Sequence, residues 1–141
     1  MNALLFSSAR ELAAQIRSRA VSVREVMQAH LQQIARLNPT LNAVVAKLDD
    51  DACLALADKA DRALSSGDAV GPFHGLPTAF KDLEPAVGFP QTKGSPIYRT
   101  FMPDSDSVIV ERIRRAGAIP IGKTNVPEFG MGSQTYNRGY G

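Results

Sequence analysis

The sequence is poor in the residue types that build disulfides and metal sites. Among 141 residues there is one cysteine, Cys53, there are two histidines, His30 and His74, and there is no tryptophan. A single cysteine excludes an internal disulfide framework and is typical of a chain from a reducing compartment. Neither histidine has a second histidine or a cysteine at ligand spacing, so we predict no metal and no other cofactor.

The sequence also lacks a strong charge of one sign and a long apolar run. Sixteen Lys and Arg against fourteen Asp and Glu give a net charge of +2, whereas nucleic-acid-binding domains usually have a clustered basic face. No apolar run approaches the ~18 residues of a membrane span, and residues 1–8 show no basic leader followed by an apolar core. We therefore expect a cytoplasmic protein without a nucleic-acid or membrane partner. Its oligomeric state is left open.

The two halves of the chain differ in composition. Residues 1–67 contain one glycine and one proline, whereas residues 71–141 contain ten glycines and eight prolines. The length suits one domain. We divide it into a helical N-terminal region, 1–67, and the start of an α/β core, 68–141.

Helix signals dominate the first region. Two Ser-x-x-Glu capping boxes predict helix starts; they are Ser8 with Glu11 and Ser22 with Glu25. The second helix is predicted to end at Asn38-Pro39, because a residue before proline is disfavoured in the α conformation. A third helix is expected from the aspartates at 49–51 to Gly67.

The second region reads as strand, helix and strand. Leu76 to Lys81 predicts a strand, 107–116 a helix whose Ile109 and Val110 face inward, and 118–121 a second strand. This order predicts two parallel strands with a right-handed crossover. With a short β-branched segment inside 41–48, the fold class is α/β, with N-terminal helices followed by the first strands of a mixed sheet.

One segment matches the sequence pattern of a phosphate-binding loop. Gly117 to Thr124 matches G-x-x-x-x-G-K-[ST], but such a loop follows a strand and opens a helix. Here a predicted helix precedes the motif, Pro120 removes one backbone donor, and Pro127 opposes a following helix. We therefore interpret the segment as a buried strand.

Lys81 and the segment 129–135 are the candidate functional residues. A lysine at the carboxyl end of a strand lies where open α/β sheets place their sites, and burial would lower its pKa so that a neutral amine could act as a base. The alternative is a lysine that reaches water or pairs with Asp82. In 129–135, small residues would let a ligand approach the backbone, and Ser133 could form a hydrogen bond; the alternative is a flexible tail.

The second region resembles the amidase signature family in four ordered blocks, and the likeness extends over essentially the whole chain. The blocks are Gly71–Pro77 with Phe80-Lys81-Asp82, Asp104–Ser107 with the helix to Ala118, Gly122–Asn125, and Pro127–Gly130. The resemblance implies hydrolysis of carboxylic amides by a Ser–Ser–Lys arrangement. It implies that Lys81 is the catalytic base, that Lys123 is structural, and that Met131, Gly132 and Ser133 contact a small-molecule amide substrate.

The sequence departs from the family pattern at one point. The glycine- and serine-rich segment that supplies the bridging serine, the nucleophile and the oxyanion hole is absent, and no Gly-Gly pair exists. The chain therefore resembles the first third of an incomplete amidase-type domain, whose partner would be the missing C-terminal part of the same enzyme. We expect residues 1–141 alone to be inactive and poorly soluble.

Two other functions compete with a stand-alone amidase. The related amidotransferase subunit, which feeds ammonia to a mischarged tRNA, usually has asparagine after the Lys-Asp pair and aspartate before Glu-Phe. Those positions are Leu83 and Pro127 here, which favours the stand-alone enzyme. A truncated, non-catalytic scaffold is the third interpretation.

Overall fold

The computed structural model describes residues 3–141. Met1 and Asn2, at the start of the segment inspected for an export leader, lie outside the described residues. The elements in chain order are α1 (Ala9–Arg17), α2 (Val23–Leu41), β1 (Val44–Lys47), α3 (Asp50–Ser65), β2 (Pro77–Lys81), α4 (Val108–Arg115) and β3 (Ile119–Thr124). None of the helices within 3–141 is long and apolar enough to span a membrane.

The three strands form one mixed sheet in the order β1-β3-β2. β2 and β3 are parallel, with Lys81 opposite Thr124, and β1 is antiparallel to β3, with Val44 opposite Thr124. The predicted α/β class and the parallel strand pair are confirmed. Because β3 is central, its carboxyl end lies between the end of β2 and the start of β1.

Two apolar clusters hold the sheet. Helices α1, α2 and α3 pack on one cluster through buried residues such as Leu12, Met27 and Cys53, which meet Ile119 and Ile121 of β3. A smaller cluster joins β2 to α4 and to the segment between them; its members are Phe80, Ala86, Phe89 and Val110. Lys81 thus follows a residue, Phe80, that is anchored in the second cluster.

Both predicted capping boxes are present. The Ser8 amide donates to the Glu11 carboxylate at 2.7 Å and the Ser22 amide to that of Glu25 at 2.9 Å, while each serine hydroxyl accepts from the glutamate amide. Hydrogen bonds from the serines lower the pKa of both glutamates. The helix starts are therefore encoded locally.

The prediction that α2 ends at Asn38-Pro39 is wrong. The helix continues through Pro39 to Leu41, and Asn42 closes it in the left-handed conformation at φ 48°. The Asn38 side chain bonds the amide and the carbonyl of Val44, both at 2.8 Å. These bonds to a residue six positions further along the chain stabilise the last turn against the local effect of proline.

The prediction that Ile109 faces inward is also wrong. Val110 is fully buried, whereas Ile109 is 53% exposed and Val108 is 63% exposed. Helix α4 contacts the sheet along one narrow side centred on Val110, so an adjacent residue, rotated by about 100°, points away. Within residues 3–141, α4 therefore has an apolar side that no other element buries.

The α2 core generates a prediction for stability. Met27 is fully buried in the larger cluster, so Met27→Ala should lower the free energy of unfolding by about 2–5 kcal/mol through lost burial and a residual cavity. Leu41→Ala, in the same helix but 64% exposed, should change it by less than about 0.5 kcal/mol. Urea unfolding of the 141-residue chain measures both values; equal losses would contradict this packing.

Candidate active site

Lys81 is the last residue of β2, at the carboxyl edge of the parallel strand pair. Its carbonyl accepts from the Glu84 amide at 3.0 Å, so the chain turns immediately after the strand. Lys81 is exposed in this chain, as in the alternative in which its side chain reaches water. Its side chain forms no hydrogen bond or ion pair with the described residues, so the pairing with Asp82 that we considered does not occur.

The buried lysine of the sheet is Lys123, in β3. It is 0% exposed, and its Nζ donates to the Glu84 carbonyl and lies 3.8 Å from Asp82 Oδ1. Burial lowers the pKa of Lys123, and the charges of Asp82 and Glu84 oppose that shift. The lysine of the apparent phosphate-binding motif is therefore fixed inside the protein, which confirms the buried-strand interpretation; the strand runs to Thr124, beyond the predicted end.

Asp82 has a hydrogen-bond partner for every backbone and carboxylate group. Its amide donates to the Thr124 carbonyl at 3.0 Å, and its carbonyl accepts from the Lys93 amide at 3.1 Å. Its carboxylate accepts from the Thr92 amide at 3.0 Å and from the Thr92 hydroxyl. We call the buried residues Asp82, Thr92 and Lys123, together with the half-buried Glu84, the Lys123 network; Glu84 is hydrogen-bonded to Lys123 through its backbone carbonyl.

The end of the chain reaches the same network. Burial together with the negative charge of Asp82 raises the pKa of Tyr140. The Asn42 side chain donates to the Tyr140 carbonyl at 2.6 Å, and the Asn137 side chain donates to the Val126 carbonyl at 2.8 Å. Residues 137–141 are thus held against both α2 and the end of β3.

The predicted substrate residues lie in a nearby segment. Met131, Gly132 and Ser133 are exposed and line a cavity of about 540 Å³ together with parts of 127–138. Gly130 adopts φ +73°, and a Cβ there would lie 2.8 Å from a Leu83 methyl group, which favours glycine at this close approach. The structure thus brings this segment against the turn that follows Lys81.

Sequence reasoning missed most of the Lys123 network. Asp82 was considered only as an ion-pair partner for Lys81, and Thr92 and Tyr140 gave no local signal. The one usable signal was the Lys-Asp dipeptide at a strand end, where one side chain points out and the next points in.

The remaining candidates have structural roles. Cys53 is fully buried in the helical core, and burial raises the pKa of its thiol, as expected for a packed cysteine. His30 and His74 are each bonded to a backbone carbonyl, of Val26 and Ala60. Residues 3–141 hold no group of three or more side chains arranged to bind a metal.

Comparison with known proteins places this arrangement in a family. The family model described as Amidase matches residues 25–141. The chain belongs to the amidase family. It is 42% identical, over its full length, to a glutamyl-tRNA(Gln) amidotransferase subunit from Acidothermus cellulolyticus. It also matches a bacterial aryl acylamidase of the amidase signature family at 29% identity and a TM-score of 0.87, over 96% of this chain and 28% of that one.

A third amidase relative is the peptide amidase of Stenotrophomonas maltophilia. It is 35% identical at a TM-score of 0.79, over 87% of this chain and 25% of that chain. The chain spans only 28% of the Acidothermus protein. The 141 residues therefore correspond to about a quarter of the length of these amidase-family proteins.

Burial of Lys123 generates a prediction for pH dependence. Because its pKa is lowered from 10.5 in the folded chain, the unfolded chain binds more protons between the folded pKa and 10.5. Its contribution to the free energy of unfolding must therefore rise with pH in that window. Lys123→Met abolishes this contribution, so the unfolding free energy of wild type minus that of Lys123→Met should increase from neutral pH to pH 10.5.

Chemical denaturation at several pH values measures this difference. Other groups that titrate in the alkaline range, such as Tyr140 and Cys53, are present in both chains and largely cancel. Lys59→Met, at an exposed lysine of α3, is the matched control, because there the same side chain replaces an amine that is not buried. A Lys123 difference that is constant, or that falls with pH, would contradict the assignment.

Proposed function

We propose that these residues are the N-terminal part of an amidase that hydrolyses carboxylic amides, with Lys81 as its general base. The proposal rests on one observation: of two lysines at one end of the sheet, one is buried and the other is exposed. Lys123 is buried and contacts Asp82 and Glu84. The Lys81 side chain extends from the same edge of the sheet, and its amine has no partner within residues 3–141. A base must have a free amine that can reach a hydroxyl.

The proposed reaction uses a Ser–Ser–Lys arrangement whose two serines lie beyond residue 141. The neutral Lys81 amine takes the proton of the nucleophilic serine through the bridging serine, and the serine oxygen forms a bond to the amide carbon. Backbone N–H groups stabilise the oxyanion, the C–N bond breaks, and the amine or ammonia leaves with a proton. Water then cleaves the acyl ester, which releases the acid and restores the serine.

Exposure of Lys81 in this chain is compatible with that role only if further polypeptide covers it. A lysine acts as a base only as the neutral amine, and desolvation favours that form. The relatives are three to four times longer than this chain, as the 28% coverage implies. We propose that the remainder of the enzyme shields Lys81 and supplies the serines.

Exposed apolar side chains support the same proposal. The large apolar residues around 97–109 that remain at least 45% exposed are Ile97, Phe101, Met102, Val108 and Ile109. Such a concentration usually marks a surface that another segment buries. The C-terminal part of the same enzyme is the proposed partner, and it accounts for the apolar outer side of α4.

Met131, Gly132 and Ser133 are the proposed substrate contacts. They line the 540 Å³ cavity, and the Phe129 amide donates to the Lys93 carbonyl at 2.7 Å, which fixes the segment to the loop after Lys81. The Ser133 hydroxyl and nearby backbone groups supply polar contacts. Selectivity for the amide would depend largely on segments outside these residues.

The amidotransferase component is the second candidate, favoured by the 42% identity to the Acidothermus protein over the whole chain. Leu83 and Pro127 favour the stand-alone enzyme, since they are apolar residues where the amidotransferase usually has asparagine and aspartate. Hydrolysis of simple amides by the purified enzyme without other subunits would support the stand-alone enzyme. Ammonia transfer that requires further subunits and a charged tRNA would support the amidotransferase.

Removal of the Lys81 amine is the direct test of the proposed base. In the intact enzyme read from the gene through and beyond codon 141, Lys81→Ala should lower kcat/KM for a simple amide by several orders of magnitude, roughly 10³-fold or more, because the residues of such a unit act together. Lys59→Ala, at an exposed lysine of α3, should leave kcat/KM unchanged. Retention of activity in Lys81→Ala, or a stop codon directly after codon 141, would refute the proposal, and the latter would favour a truncated scaffold.

The 141-residue chain alone should not hydrolyse amides. A general base without a nucleophile and an oxyanion hole does not complete the reaction. Release of ammonia or amine from a simple amide by the purified chain, assayed beside its Lys81→Ala variant, measures this. Turnover that disappears in the variant would show that these residues contain a complete site.

A further inference from the structure

The turn that follows Lys81 is held by several hydrogen bonds, and Asp82 within it is fully buried. We call residues 81–84 the Lys81 turn. Within it the Glu84 amide donates to the Lys81 carbonyl at 3.0 Å, and the Asp82 amide donates across the sheet to Thr124 at 3.0 Å. The backbone on the carboxyl side of Lys81 is therefore fixed, although the Lys81 side chain lies in solvent.

A single buried cation holds two points of this turn. Lys123 Nζ donates to the Glu84 carbonyl and lies 3.8 Å from the Asp82 carboxylate, and both ionic side chains are almost completely buried. Breaking one partner of such a pair leaves an uncompensated buried charge. Small displacements of the turn are therefore disfavoured.

Thr92 connects the turn to the rest of the site. Its hydroxyl donates to Asp82 and accepts from the Gly94 amide at 3.1 Å, and its own amide donates to Asp82 at 3.0 Å. The strand end and the loop to residue 94 thus meet at one threonine.

We propose that Lys123 and Thr92 are positioning residues, which fix the direction in which the Lys81 side chain leaves β2 by clamping the Lys81 turn. This inference rests on the proposed function of Lys81. Lysine has four rotatable side-chain bonds, so a base that must reach one hydroxyl depends on a fixed Cα–Cβ direction. Loss of such alignment by about 1 Å can lower a rate by about 10²-fold.

The test compares two replacements of one threonine in the intact enzyme. Thr92→Val keeps the shape but removes the hydroxyl, so kcat should fall about 10- to 100-fold with a smaller change in KM. Thr92→Ser keeps the hydroxyl and should restore most of kcat. Lys123→Met should lower kcat at least as much as Thr92→Val.

Two controls separate positioning from loss of stability. Val26→Ala, a fully buried core position in α2, should lower the unfolding free energy without a comparable loss of kcat. In the intact enzyme, amide hydrogen exchange of Asp82 and Glu84 should accelerate in Thr92→Val and Lys123→Met relative to the Leu31 amide in α2. A general loss of stability would accelerate all three amides together.

The outcomes distinguish this inference from the proposed function. If Lys81→Ala abolishes activity while Thr92→Val and Lys123→Met keep kcat, or if Thr92→Ser fails to restore it, the positioning role is wrong and the base assignment stands. If Lys81→Ala keeps full activity, the proposed function is wrong. Uniform acceleration of exchange would also overturn the positioning role.

Discussion

The buried ammonium of Lys123 is the interaction on which the end of the sheet depends. Moving an isolated ammonium out of water costs several kcal/mol, and the cost is offset only where anionic and carbonyl oxygens surround it. Asp82 and the Glu84 carbonyl provide those oxygens. Consequently the central strand can include Lys123 only when β2 and its following turn are in place.

This requirement explains why two lysines beside each other in the sheet have opposite environments. Phe80 is opposite Lys123 and Lys81 is opposite Thr124 in the parallel register, and consecutive residues of a strand point to opposite faces. Phe80 is buried, as Lys123 is, whereas Lys81 is exposed. Because side chains alternate along the strands, Lys123 points into the interior and Lys81 points to the opposite, exposed side of the sheet.

Local chemistry was sufficient to predict part of the fold. The capping boxes at Ser8 and Ser22 act within four residues, and a strand, a helix and a second strand in sequence allow few arrangements. The misplaced features depend on side-chain bonds to residues outside the element itself. Helix α2 crosses Pro39 because Asn38 bonds Val44, and β3 continues to Thr124 because Lys123 finds acceptors about forty residues earlier.

The candidate site, like the fold, was predictable only where a local sequence pattern determines it. The position of Lys81 at a strand end follows from the pattern of Leu76 to Lys81, and its exposure does not, because burial depends on everything that packs around the strand. Thr92 is a residue type found in any loop, and only the folded chain shows that its hydroxyl meets Asp82. What the sequence signals is the dipeptide Lys81-Asp82: an inward carboxylate that must be neutralised, next to an outward amine. The inward residue fixes the backbone and with it the Cα–Cβ direction of the outward residue, which is the arrangement that the proposed role of Lys81 requires.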